Sequence, residues 1–312
     1  MEGNKAYKKH VKLLFNTLPI IIGLYFTYTQ IGVLSETSEL KTYLKEEVKI
    51  IWILVSIFIG IISHYIRAFR WKIQLASINI VTSQKTLFRG IMSGYLINLG
   101  VPRAGELYRC NVIKNQYNES YQTILGTVIT ERIIDLLMLL LLIFISIIFQ
   151  TELSLELKMI FLKLNVLVIF CGTAIIVLLL QIRKLKLWVF SKFQNIWVGI
   201  RSISLKIIIP YALLTIMIWF CYFSMFYSIK YSLPISNQLP VSMYLDSFIA
   251  GSLAMASTNG GIGAYPFAIS KVFQMYGGSN FYGLMFGWIM WLGQTSMILV
   301  LGISSILFTR DK

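Results

Sequence analysis

The 312-residue chain is 57% hydrophobic and only 13% charged, against about 25% charged for an ordinary soluble domain. Lys and Arg outnumber Asp and Glu by 28 to 13. With apolar runs near 20 residues, that excess points to the inner leaflet of a membrane and away from nucleic acid, because basic residues concentrate in cytoplasmic loops. The three cysteines (Cys110, Cys171, Cys221) have no CxxC spacing and the histidines are only His10 and His64. A metal site is therefore not expected. No Gly-x4-Gly-Lys-Ser/Thr motif is present, so no nucleotide or other cofactor is expected either.

The first predicted element follows Lys5, Lys8, Lys9 and Lys12. Basic residues before an apolar run resemble a signal peptide, but no small-x-small cleavage site follows, and 13–33 reads as a retained first span. Residues 35–49 are polar and mildly acidic, a short outer connection. Further full spans are predicted at 50–66, 121–149, 159–181, 207–230 and 281–308. Two other apolar segments are shorter and broken. One runs from Leu87 to Val101 and meets Pro102-Arg103-Ala104-Gly105-Glu106. The other, about Ser242 to Phe273, is interrupted at Thr258-Asn259-Gly260-Gly261-Ile262-Gly263-Ala264-Tyr265-Pro266. The predicted fold is all-α and polytopic, a single transmembrane domain over 1–312. It holds six full transmembrane helices plus two broken or re-entrant helical hairpins, eight apolar segments in all. Between spans, 183–206 mixes Trp188, Phe190, Phe193 and Trp197 with Lys184, Lys186 and Lys192. It suits a helix in the inner interface and equally a solvated basic loop anchored by aromatics.

Twenty of the 28 basic residues fall in 1–12, 67–89, 103–119, 182–206 and 309–312; seven fall in the alternate segments, and Arg132 lies inside a span. This bias places both termini in the cytoplasm of a cell (inner) membrane protein. Halves 1–150 and 155–312 carry the same order of spans and breaks in opposite orientation. Inverted repeats with broken segments at matching positions are a transporter architecture, with the breaks at the substrate site. Eight ordinary helices arranged in this way are the plainer reading.

Charge inside a membrane is costly and asks for a reason. Gly100 can end a helix in the left-handed region and Pro102 forces an extended Val101, so helix, break and helix are expected around Arg103. The second half-helix would aim its N-terminal amides and Arg103 into the break, an anion site, while Glu106 and Arg109 pair at i,i+3. An ordinary cytoplasmic turn is the alternative. Glu131 and Asp135 lie one turn apart on one face of the 121–149 span, with Arg132 between them. Only 14 uninterrupted apolar residues follow, about 21 Å of helix, so a core of about 30 Å requires the cluster at or inside the inner edge. A polar path or an ion pair with Arg103 or Arg109 is one reading; an interfacial helix start with Arg132 reaching to the headgroups is the other. Arg67, Arg70 and Trp71 close the second span as topology anchors or, alternatively, bind lipid phosphate. Gly260, Gly261 and Gly263 allow close backbone approach or a hinge, and Pro266 suits the first turn of the next helix.

Arg67-Ala-Phe-Arg70-Trp71, Pro102-Arg103-Ala-Gly105-Glu106-Leu-Tyr-Arg109, Glu131-Arg132-Ile-Ile-Asp135 and Gly260-Gly261-Ile-Gly263, in this order, resemble the lysylphosphatidylglycerol synthase transmembrane-region family, also called flippase-like domains. The resemblance implies a membrane domain that translocates or presents a lipid. Larger members carry a cytosolic aminoacyltransferase domain; this chain ends at Lys312, and aminoacylation is not expected of it. The family's proline before the late glycines and acid after them are replaced by Ser257-Thr258 and Tyr265-Pro266, so no role for that acid carries over.

The leading expectation is a flippase-like transporter of an anionic lipid: a phospholipid, an aminoacyl-phospholipid or a polyprenyl phosphate. Arg103, Arg109 and Arg132 would contact the headgroup, with Arg67 and Arg70 as further contacts and Glu106, Glu131 and Asp135 orienting them. Gly100, Pro102, Gly105, Gly260, Gly261, Gly263 and Pro266 form the breaks. The partners expected are membrane lipids, with a membrane-associated transferase and a second copy of the chain as further candidates. A lipid-modifying enzyme using Glu131 and Asp135 as acid and base, and a non-transporting partner of a transferase, are the competing readings.

Overall fold

The computed structural model describes residues 25, 27–30, 48–117, 119–149, 194–234, 239–258 and 260–308. The predicted span 159–181, most of the span 13–33, the outer connection as far as residue 47, and Trp188, Phe190 and Phe193 of the basic linker lie outside the described residues.

Among the described residues every regular element is helical. In chain order they are α1 (Ile50–Ala76), α2 (Gln84–Gly100), α3 (Ala104–Gln116), α4 (Tyr121–Phe149), α5 (Ile208–Ser228, continued by a 3-10 turn Ile229–Ser232), α6 (Val241–Ser257), α7 (Ala264–Met275) and α8 (Asn280–Leu307). Residues 194–200 are also helical. Local chemistry sets several ends. Pro240 is extended at the N-cap of α6. Gly277, at φ 75, closes α7; the Gly278 amide donates to the Phe273 carbonyl and the Gly277 amide to that of Gln274, the paired bonds of a Schellman cap.

Among the described residues three helices are long and apolar enough to cross a membrane: α1, α5 with its 3-10 turn, and α8. Their large apolar side chains lie on the outside at helical spacing, as with Ile50, Leu54 and Phe58 on α1 or Leu292, Leu299 and Ile303 on α8. A surface of this kind is solvated by lipid chains. At 29 residues α4 also has the length, about 43 Å at helical rise, but carries Glu131, Arg132 and Asp135 in its first half. The predicted second span ends at residue 66, whereas α1 continues to Ala76.

The chain divides into two compact units. Unit 1 comprises 1–66, 88–108 and 217–312; unit 2 comprises 67–87 and 109–216. Each draws on both linear halves of the chain, and the divisions fall within α1, α2, α3 and α5. Unit 1 is centred on Phe226, Tyr244, Phe273 and Phe286, with Phe226 and Phe286 centroids 4.8 Å apart. Its α7 and α8 meet backbone to backbone: Gly283 lies on Ser270 and Gly287 on Pro266, with no room for a Cβ. Small residues permit such approach where helices pack in lipid. Unit 2 is built from the end of α1, α4, residues 194–204 and the start of α5. Gly126 and Gly199 touch through their backbones, and Ser202 accepts the Gln74 amide at 2.9 Å. The described part of the predicted 183–206 linker is thus packed into unit 2.

Candidate functional site

Unit 2 holds a buried ion cluster. On α1, Arg67, Arg70, Trp71 and Gln74 fall at i, i+3, i+4 and i+7, one face of a helix. On α4, Glu131 and Asp135 are one turn apart, as the sequence predicts. Glu131 Oε1 accepts Nη1 of Arg67 and lies 3.8 Å from Nη2 of Arg70. Its Oε2 accepts Nη1 of Arg109 at 3.2 Å. Asp135 Oδ2 accepts Arg67 Nη1 at 3.0 Å and Oδ1 accepts Arg70 Nη2 at 3.1 Å. All four carboxylate oxygens therefore face guanidinium groups. Arg132 stands at the margin, 3.9 Å from Asp135 and 42% exposed.

Neighbouring groups fix the arginines. Arg70 also donates to Thr215 Oγ1 at 2.8 Å and lies over the Tyr211 ring. Arg109 stacks 4.7 Å from the centroid of Trp71, whose indole N–H donates to Thr127 Oγ1 at 2.9 Å. A guanidinium suits both roles, being planar, weakly hydrated and able to stack while it donates. Arg70 is fully buried and Arg109 is 3% exposed. Yet Arg109 Nε and Nη2 and Arg70 Nε find no acceptor among the described residues. Nε and Nη2 of one arginine point the same way and form a two-donor fork that matches a carboxylate or phosphate. In Arg109 that fork is open, while Nη1 is committed to Glu131.

Unit 1 holds both breaks. Gly100 is helical and a Cβ there would meet nothing within 4 Å. α2 ends at Gly100, as expected, but the left-handed residue is Arg103, at φ 62, so the left-handed conformation expected of Gly100 is corrected. The Ala104 amide donates to the Val101 carbonyl at 3.2 Å, closing a turn with Pro102 second and Arg103 third, where positive φ is required and glycine is preferred. Asn98 spans the turn, accepting the Gly105 amide at 2.7 Å and donating to Glu106 at 3.2 Å. Gly105 lies against the Gly94 backbone, which leaves no space for a Cβ.

In the second break Gly260, Gly261 and Gly263 all have positive φ, a path costly for any residue with a Cβ. Trp291 donates to the Gly260 carbonyl at 2.7 Å. Gln30 donates to the Gly263 carbonyl at 2.8 Å and accepts from Trp288 at 3.0 Å. Pro266 falls in the first turn of α7, as expected. The two breaks come together: a Cβ at Gly260 would stand 3.5 Å from Leu99.

Of the predicted headgroup residues, Arg67, Arg70, Arg109, Glu131 and Asp135 are assembled in unit 2, with Arg132 beside them. Arg103 and Glu106 belong to unit 1. The Glu106–Arg109 pair does not form; Arg109 turns to Glu131, and Glu106 serves Asn98. Arg67 and Arg70 are buried ion partners, since α1 continues past the predicted span end into unit 2. Trp71, Thr127, Thr215, Gln30, Trp288 and Trp291 have site contacts that the sequence reading did not assign. For Trp71 the signal existed, in its spacing from Arg67 and Arg70.

None of the curated proteins and none of the solved structures compared with this chain matches it. A family model does, the lysylphosphatidylglycerol synthase TM region, over residues 20–302. With four motifs in order and, among the described residues, three helices long and apolar enough to cross a membrane, the chain is a multi-pass membrane protein that belongs to the lysylphosphatidylglycerol synthase transmembrane-region family.

Proposed function

We propose that the protein is a flippase-like transporter of the cell (inner) membrane, with both termini cytoplasmic, that moves an anionic lipid between leaflets. One observation carries this reading: three buried arginines face two carboxylates, and the fork of Arg109 is open. Buried charge without a counter-ion costs several kcal/mol, as an order of magnitude, and an anionic headgroup supplies the missing partner. Glu131 and Asp135 orient the arginines; Arg132, half exposed, is the first contact for an arriving phosphate. The breaks at Pro102–Gly105 and Gly260–Gly263 contribute interrupted backbone from each linear half, in keeping with an inverted repeat. The transporter reading is favoured over the enzyme because every oxygen of Glu131 and Asp135 is engaged by arginine, leaving neither acid poised for proton transfer.

The test is reconstitution of the full chain in liposomes with a headgroup-labelled fluorescent phosphatidylglycerol. Exchange between leaflets that is lost in Arg109→Gln supports the proposal. A changed lipid mass would support the enzyme. Neither, with a transferase co-purifying, would support a scaffold.

A further inference from the structure

Resting on the transport reading, we infer that lipid movement is coupled to protons: His64 of unit 1 binds one proton, reached along a polar seam between α5 and α6, and that proton crosses with the lipid. The chain has two histidines, His10 and His64. His64 stands about 21 Å along α1 from Ile50 at helical rise, in a helix long and apolar enough to cross a membrane, and it is buried. An ionisable group at that depth asks for a reason. Imidazole is the side chain whose charge ordinarily changes between about pH 5 and 8.

Two other helices place phenols against it. The His64 ring lies 4.9 Å from that of Tyr95 on α2 and 6.3 Å from that of Tyr222 on α5, centroid to centroid. A phenol suits a ring that changes charge, because one hydroxyl donates to imidazole or accepts from imidazolium. On α8, Gln294 and Met297 face α1 at Gly60; that helix carries no Asp, Glu, Lys, Arg or His, and its Tyr282 lies more than three turns before Gln294. Of the described acids of unit 1, Asp246 accepts the Tyr276 hydroxyl at 2.6 Å and Glu106 serves Asn98. Arg67, one turn on along α1, is turned to Glu131 and Asp135.

The seam leads away from Tyr222. Trp219, one turn earlier on α5, has its ring 6.1 Å from that of Tyr222 and 6.2 Å from that of Phe248 on α6. Next to Phe248 is Ser247, and one turn before that is Tyr244; both are fully buried. The indole N–H of Trp219 and the hydroxyls of Ser247 and Tyr244 find no partner among the described residues. Groups of this kind are costly when dry, and internal water is their usual partner. Hydroxyls joined by water pass protons. The seam ends where the half-buried ammonium of Lys230 lies 5.2 Å from the Tyr244 centroid, in the turn that closes α5.

Charge gives the coupling its use. A lipid with one negative charge meets the transmembrane potential as it crosses, and one proton moving with it cancels that charge. The imidazole takes a proton from water on one side, becomes an imidazolium, and yields the proton to water on the other, ending as it began.

The test uses the full chain in liposomes with headgroup-labelled phosphatidylglycerol, an imposed pH gradient and protein-free liposomes as reference. Labelled lipid is expected to gather in the leaflet facing the more alkaline solution, by up to about tenfold per pH unit for one proton per lipid. A protonophore should abolish the asymmetry, and His64→Gln should lose it at whatever rate it exchanges lipid. A second measurement reads the proton site alone. In His10→Gln the one remaining histidine, labelled with 15N, should titrate between pH 5 and 9. An imidazole signal constant over that range overturns the inference, as does exchange that ends in an even distribution under the gradient or an undiminished asymmetry in His64→Gln. Should His64→Gln not fold, the gradient and the titration decide. Even exchange leaves the transport reading intact while the coupling falls; a titrating His64 with no exchange at all ends transport and coupling together and leaves the proton site standing.

Discussion

Unit 2 carries its polar load in side-chain charge, whereas unit 1 carries it in the main chain. In unit 2 the helices are continuous and the cost is that of ions out of water, met by Arg–carboxylate pairs with Thr215, Trp71 and Tyr211 around them. In unit 1 the helices are interrupted and the cost is that of unpaired amides and carbonyls, met by Asn98, Gln30, Trp288 and Trp291. The two solutions fail differently. An ion cluster is coupled, so removing one member strands several others. A capped break is a set of single bonds, each worth about 1 kcal/mol. The second break is therefore tied at both its ends by side chains, and any hinge motion there must first release the indole of Trp291 or the amide of Gln30.

The largest effect expected is that of Glu131→Gln. Glu131 is 1% exposed and faces Arg67, Arg70 and Arg109. Its neutralisation leaves three buried arginines with Asp135 alone, at about 3–5 kcal/mol, or a fall in Tm on the order of 10 °C. Asp135→Asn should cost less, since Asp135 is 12% exposed. A thermal unfolding series on purified protein reads both; equal, small shifts would mean that the cluster is not coupled.

Next comes a pair of glycines on the first break. Gly105→Ala drives a methyl group into the Gly94 backbone, an overpacking cost of about 1–3 kcal/mol. Gly100→Ala meets open space at the last residue of α2 and should gain at most about 0.5 kcal/mol, the low end for a helical glycine. Opposite signs five residues apart, on either side of the turn, would show that close approach, and not flexibility, is what the break demands. Smaller again is Trp291→Phe, which leaves the Gly260 carbonyl without its indole donor at about 1 kcal/mol, also measurable as faster hydrogen exchange at Tyr265, whose amide closes the Gly261 turn.

Much of this contrast could be read from residue types and spacing. Apolar runs reveal the lipid-facing helices because burial in hydrocarbon selects composition directly. Glu131 and Asp135 on one face, and breaks at Pro102 and at Gly260–Gly263, follow from helical period and from the conformations those residues force. What escaped is long range. Arg67 and Arg70 look like ordinary anchors at the end of an apolar run, and only packing shows that α1 continues and turns them inward. The i,i+3 rule favours Glu106 for Arg109, yet tertiary structure supplies Glu131, 22 positions away. Gln30 meets Gly263 across 233 positions, a pairing no local pattern encodes.

Arg103 sharpens the comparison most finely, since its expected effect on stability is small and is a gain. An L-residue at φ 62 costs about 1–2 kcal/mol relative to a right-handed conformation, and the turn closed by Val101 and Ala104 would prefer glycine at that place. Arg103→Gly should therefore raise stability, by at most about 1 kcal/mol after the extra chain entropy of glycine is subtracted. The side chain is exposed and makes no ion pair among the described residues, so stability gives no reason for an arginine. Backbone strain of this kind is retained where the side chain has a task. The paired expectation is a variant at least as stable as the parent but slower in leaflet exchange of labelled phosphatidylglycerol. A glycine variant that is more stable and exchanges lipid at the parental rate would show that Arg103 has no part in transport, and would leave the charge of unit 2 to handle the headgroup alone.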